Sequence, residues 1–136
     1  MLHVEHRDEV FARLAMDLAQ AGMCVVRAKS ATEAIQLFAR CAPALVLANL
    51  NLPDQSGWLL AGKLHFIDSG ARVWLYQPQA SRYARGMARF LQVDQLLEYG
   101  GDLLELSETV TALVAARQRQ SHKKKALRTS DGQTAA

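Results

Sequence analysis

Two apolar patterns take turns along the chain. Short runs, "LHVE" (2–5), "MCVVRA" (23–28), "ALVLA" (44–48), "RVWLY" (72–76) and "QLLEY" (95–99), have the length and the β-branched, apolar or aromatic content of strands. Between them, apolar residues recur three or four apart. The sets are Val10, Leu14, Leu18 and Ala21; Ala34, Leu37, Phe38 and Cys41; Leu60, Leu64 and Ile67; Ala80, Ala84, Met87 and Leu91; and Leu106, Val110, Leu113 and Val114. Each set lies on one face of a helix, which predicts helices over 7–22, 30–41, 57–68, 80–92 and 101–117. Punctuation agrees: Gly22 stops the first helix, Ser30 with Glu33 makes a capping box for the second, and Ser56 caps the third.

Strand and helix alternate five times with short joins, and this predicts a parallel sheet covered by helices on both faces. The fold class is α/β: a flavodoxin-like, doubly wound, five-stranded sheet of order 2-1-3-4-5 with five helices in a three-layer sandwich. In such sheets ligands bind beyond the carboxyl ends of the strands. Those ends are Glu5-His6, Asn49, Gln77 and Tyr99.

The chain has 136 residues, half of them apolar, enough for one domain with its own core. No apolar run is long enough to span a membrane, and the charged start "MLHVEHRDEV" does not resemble a signal peptide, so a cytoplasmic protein is expected. Cys24 and Cys41 fall inside apolar patterns and are expected to be buried thiols. The net charge of +3 hides an asymmetry. Residues 117–136 hold six basic side chains against Asp131, or +5, which leaves ten basic and twelve acidic residues, or −2, over the first 116. Residues 1–118 are expected to form the domain, and 119–136 a basic, disordered tail. Nucleic acid binding through that tail would be weak and salt-sensitive.

Candidate chemistry centres on "NLNLPDQSG". A strand-like run feeds into Asn49, followed by Pro53 four residues on and Gly57 eight residues on. With five β-α units, this spacing resembles a response-regulator receiver domain (CheY-like), and the resemblance covers residues 1 to 118. Receivers carry an acceptor aspartate where Asn49 stands, with an acidic pair after the first strand that helps bind Mg²⁺. A Ser or Thr ends their fourth strand and a Lys their fifth. Here Glu5 and His6 take the acidic pair, Gln77 the Ser or Thr, and Tyr99 the Lys, with Gly100 where a proline usually follows. Leu96 takes the aromatic switch position. Asn49 is a neutral amide and no nucleophile, and His6 is a poor Mg²⁺ ligand. The resemblance therefore implies a pseudo-receiver that has lost the phosphorelay machinery. Its pocket is expected to need no metal or cofactor and to be filled by hydrogen bonds among Glu5, His6, Asn49, Gln77 and the Tyr99 hydroxyl. Asp54, past Pro53, is expected to point to solvent.

The fourth helical segment places Arg82, Arg85 and Arg89 on one exposed face and Tyr83 and Phe90 on a neighbouring stripe, the residue types enriched at interface cores. In receivers the face made by helix four, strand five and helix five is the usual output and dimerisation surface, and a protein partner or a homodimer is expected to bind there. Trp74 fits a strand core, and Trp58 either starts helix three as a core residue or stands as an exposed anchor. No nucleophile–base pair or phosphate-cradling glycine loop suggests an enzyme. The expected function is that of a stand-alone bacterial signalling module, acting by phosphorylation-independent contact with a protein partner, a homodimer, or both. The alternatives are a nucleic-acid-associated regulator using the tail and a small-ligand or metal sensor using the altered pocket.

Overall fold

A computed structural model describes residues 1–79 and 81–134. The elements alternate as β1 (Leu2–Val4), α1 (Asp8–Gln20), β2 (Val26–Ala28), α2 (Ala31–Cys41), β3 (Val46–Asn49), α3 (Gly57–Ile67), β4 (Val73–Gln77), α4 (Ala84–Phe90), β5 (Gln95–Glu98) and α5 (Leu103–Thr134). All strand pairs are parallel, and the sheet order is β2-β1-β3-β4-β5.

Alternation along the central strands builds two cores. Val46 and Ala48 of β3 with Val73 and Leu75 of β4 face one side, where Ala34 and Phe38 of α2 and Leu60 and Leu64 of α3 cover them. Leu47, Trp74 and Tyr76 face the other, under Val10, Leu14 and Leu18 of α1 and Leu106, Val110 and Val114 of α5. Helix ends follow their caps. Gly22, at φ +83°, lies just past the end of α1. The Ser30 hydroxyl accepts from Glu33 N–H at 3.1 Å, while Glu33 Oε2 accepts from Lys29 N–H at 3.3 Å. Ser56 Oγ accepts from Leu59 N–H at 3.2 Å.

Several expectations need correction. Both cysteines are exposed and free. Cys24 leads into the short edge strand β2, and Cys41 ends α2 beyond the point where Phe38 reaches the sheet. Ile67, the last residue of α3, is half exposed, and Ala61 takes its place inside. Helix α4 has seven residues rather than the thirteen predicted; Arg82 and Tyr83 form a turn before it, and Gln92 at φ +56° follows it. Its inward residues are Ala84 and Ala88, Met87 is exposed, and Ala80 lies outside the described residues. Helix α5 does not stop at Arg117 but continues to Thr134, where an unstructured tail was expected. The side chains from Arg119 to Arg128 are exposed, so no core holds this stretch. Good helix formers (Gln, Lys, Ala, Leu, Arg) with no proline, and no glycine before Gly132, carry the helix on. Among the described residues no helix is long and apolar enough to cross a membrane.

Candidate functional site

The strand order brings the tips of β1 and β3 side by side, because β1 pairs with β3 through Val4 and Ala48. Glu5 leaves β1 fully buried, and Asn49 ends β3 at 2 % exposure. A lone carboxylate without water is costly unless donors surround it. Glu5 has them. Asn49 Nδ2 donates to Oε1 at 3.0 Å and reaches Oε2 at 3.3 Å. The Tyr76 hydroxyl donates to Oε1 at 2.9 Å, and the Arg7 backbone N–H to Oε2 at 3.1 Å. The Arg7 guanidinium stands 3.5 Å from Oε1, and His6 Nδ1 3.4 Å from Oε2. The Asn49 side-chain oxygen Oδ1 is also engaged, accepting from Asn51 N–H at 2.9 Å.

A second layer supports this cluster. His3 Nε2 lies 2.8 Å from the Tyr76 hydroxyl. Since that hydroxyl gives its proton to Glu5, His3 Nε2 must be the donor, which fixes the neutral Nε2–H tautomer. His3 Nδ1 then carries no proton, in keeping with its lack of a partner. Burial, with Arg27 nearby, pushes the His3 pKa down to about 3. Burial first, and the Glu5 charge second, push the Tyr76 phenol well above its ordinary value, so it stays a donor. Arg7 is held firmly charged by its bond to the Tyr99 hydroxyl at 3.4 Å and by Glu5, against a smaller cost of burial.

The expected pocket is thus assembled only in part. Glu5, His6 and Asn49 meet. Tyr99 is buried and joins through Arg7 rather than by touching Glu5 or Asn49. Gln77 is buried, but its Nε2 has no partner, so it takes no part in the hydrogen-bonded cluster. Three members went unread in the sequence: Arg7, Tyr76 and His3. A tyrosine in a doubly buried strand needs a partner for its hydroxyl, and that signal pointed to Tyr76. Among the described residues no three His, Cys, Asp or Glu side chains converge on a possible metal position.

The loop after β3 has structural duties. A Cβ on Gly57 would stand 2.9 Å from Leu50 Cα and 3.0 Å from the Asn49 carbonyl oxygen, so only glycine lets α3 start against the strand tip. Pro53 sits in the exposed bend between them. Asp54 does not simply face solvent. Its carboxylate accepts from Ala31 N–H at 2.9 Å, Thr32 N–H at 2.9 Å and Thr32 Oγ1 at 2.8 Å, capping α2 from another loop. Partial desolvation opposes its ionisation, but these bonds outweigh it and hold the carboxyl at about 2. Arg82, Tyr83, Arg85, Arg89 and Phe90 are all exposed.

No protein-family model and no curated protein sequence matches the chain. Solved structures do. A non-phosphorylated HemR receiver domain from Leptospira biflexa is 27% identical, with a TM-score of 0.70 over 77% of this chain and 85% of that one. A putative response regulator from Chloroflexus aurantiacus is 23% identical, with a TM-score of 0.71 over 84% and 95% of the two chains. A CheY-like receiver domain protein from Methanospirillum hungatei is 19% identical, with a TM-score of 0.73 over 88% and 95%. The chain has the fold of a response-regulator receiver domain.

Proposed function

We propose that this protein is a pseudo-receiver: a receiver-fold signalling module that acts through protein–protein contact and not through phosphorylation. The observation that carries this reading is the bonding of Glu5. Its carboxylate is occupied by the Asn49 amide, the Tyr76 hydroxyl and Arg7. Where the receiver pattern has a nucleophilic carboxylate, Asn49 offers a neutral amide already committed to Glu5 and Asn51. Where that pattern has a divalent cation, the covalently attached Arg7 guanidinium offsets the Glu5 charge. No residue in the cluster is left to attack a phosphoryl group or to hold Mg²⁺ with a second carboxylate. The exposed arginines and aromatics at 82–90 are the proposed contact residues for a protein partner, from their chemistry and exposure.

Incubation with acetyl phosphate and Mg²⁺, read by intact mass, tests this. The unmodified protein and the Asn49→Asp variant are both expected to remain unmodified, the latter because Gln77, Tyr99 and His6 still occupy the other receiver positions. A phosphoryl adduct on the unmodified protein would refute the proposal.

A further inference from the structure

The least economical feature of the surface is not at the pocket but on α3 and α4. Phe66 is 92 % exposed, Phe90 81 % and Tyr83 80 %, with Leu59, Ile67 and Met87 about half exposed. Tyr83, Met87 and Phe90 fall at helical spacing on one stripe, and Leu59 and Phe66 on another. Between the two helices runs a groove of about 690 Å³, lined by Trp58, Leu59, Gly62, Phe66, Met87 and Leu91 among others. Gly62 forms part of its floor, where an added Cβ would make ordinary contact with Leu91 at 3.7 Å.

We propose that this α3–α4 face is the seat of a second copy of this chain, in a two-fold dimer. Knob and hole lie on the same face, as an isologous contact requires: the Phe66 ring stands out beside a groove that would receive the Phe66 ring of the other copy. The area fits. At ~200 Å² per ring the three aromatics leave ~500 Å² uncovered, and the half-exposed aliphatics bring the patch to on the order of 700–800 Å². The largest apolar patch on a typical monomer is about 300–600 Å², whereas a stable interface needs about 800 Å² per partner. Charge does not crowd it. Arg85 and Arg89 each stand two residues from Met87, about 200° around α4 and so off the groove, and Lys63, which lines it, is tied by its ammonium to Gln55 Oε1 at 2.8 Å.

The proposal rests on the surface alone and stands or falls separately from the phosphorylation reading. Sedimentation of the full chain over a micromolar concentration series tests it, with Phe66→Asp and Met87→Asp on the face and Glu108→Ala, exposed on α5, off it. Phe66 touches no core, so circular dichroism is expected to stay unchanged in its variant. The unmodified chain is expected to dimerise with concentration, either face variant to weaken the dimer by ~10- to 100-fold, and Glu108→Ala to leave it intact. A monomer throughout the series, a dimer indifferent to both face variants, or one lost equally in Glu108→Ala would overturn the proposal.

Discussion

Replacing Asn49 with aspartate restores the residue type the receiver pattern has at this position, and the structure says what it would cost. The substitution removes the amide donor that reaches Glu5 at 3.0 and 3.3 Å and sets a second carboxyl in its place. Losing a hydrogen bond to a buried charge costs about 1.5–3 kcal/mol. Two unit charges at this separation, with an effective dielectric near 20, repel by roughly 5 kcal/mol. Protonation limits the repulsion. Keeping one carboxyl protonated at pH 7, about three units above its ordinary pKa, costs about 4 kcal/mol, and the resulting O–H can donate to Glu5 as the amide did. The expected destabilisation at pH 7 is therefore about 3–5 kcal/mol, or roughly 10 °C or more in Tm for a domain of this size. Its pH dependence has a definite sign. The new carboxyl has a folded pKa above its unfolded value, so the folded state retains the proton to higher pH. The variant should approach the unmodified protein near pH 4 and fall away as pH rises through the folded pKa. Urea denaturation followed by circular dichroism, from pH 4 to 8 without divalent ions, measures this. A variant within about 1 kcal/mol of the unmodified protein at pH 7.5, or a loss that does not vary with pH, would refute the charge account of the pocket.

Other outcomes follow from the same geometry. His3 is neutral in the fold with its pKa near 3, against an unfolded value of 6.5. The unfolded chain therefore binds one more proton between those limits, and stability is lost as pH falls through them by up to ~1.4 kcal/mol per unit. Urea midpoints from pH 5 to 8 should show a shallower slope in His3→Gln, and equal slopes would contradict a His3 held neutral in the fold. Tyr76→Phe strips Glu5 of a donor and His3 of its acceptor, and should cost about 1–3 kcal/mol by chemical denaturation; a neutral effect would show that neither bond matters. Asp54→Ala should cost about 1–2 kcal/mol with hydrogen exchange rising first at the start of α2, and unchanged exchange there would argue against the cap. Gly57→Ala should destabilise by about 1–3 kcal/mol although the residue touches no catalytic group, and a neutral outcome would show that α3 can shift away from the strand tip.

Much of this arrangement was legible in the sequence, for identifiable reasons. The two hydrophobic periods fix which runs are strands and which are helices, and strict alternation fixes the parallel order that joins Glu5 to Asn49. Arg7 was not legible, because its guanidinium turns back to Glu5 through the geometry of a three-residue join that no periodicity records. Asp54 lies 23 residues from Ala31 along the chain, and only the meeting of two loops makes it a cap. The cysteines misled because an apolar pattern does not reveal which strand is at an edge or where a helix leaves the sheet. In α5 the loss of an apolar face reads as the end of the helix, yet a run of good helix formers carries it past the last buried turn.

The pseudo-receiver reading meets its most direct test in an amide ¹H–¹⁵N spectrum of the unmodified protein, recorded alone, with Mg²⁺, and with Mg²⁺ plus acetyl phosphate. With Glu5 already saturated by Asn49, Tyr76 and Arg7, the signals of Glu5, Asn49, Asn51 and Tyr99 should hold their positions through all three conditions. Saturable shifts at those residues with Mg²⁺, followed by a second set of shifts with acetyl phosphate, would contradict it.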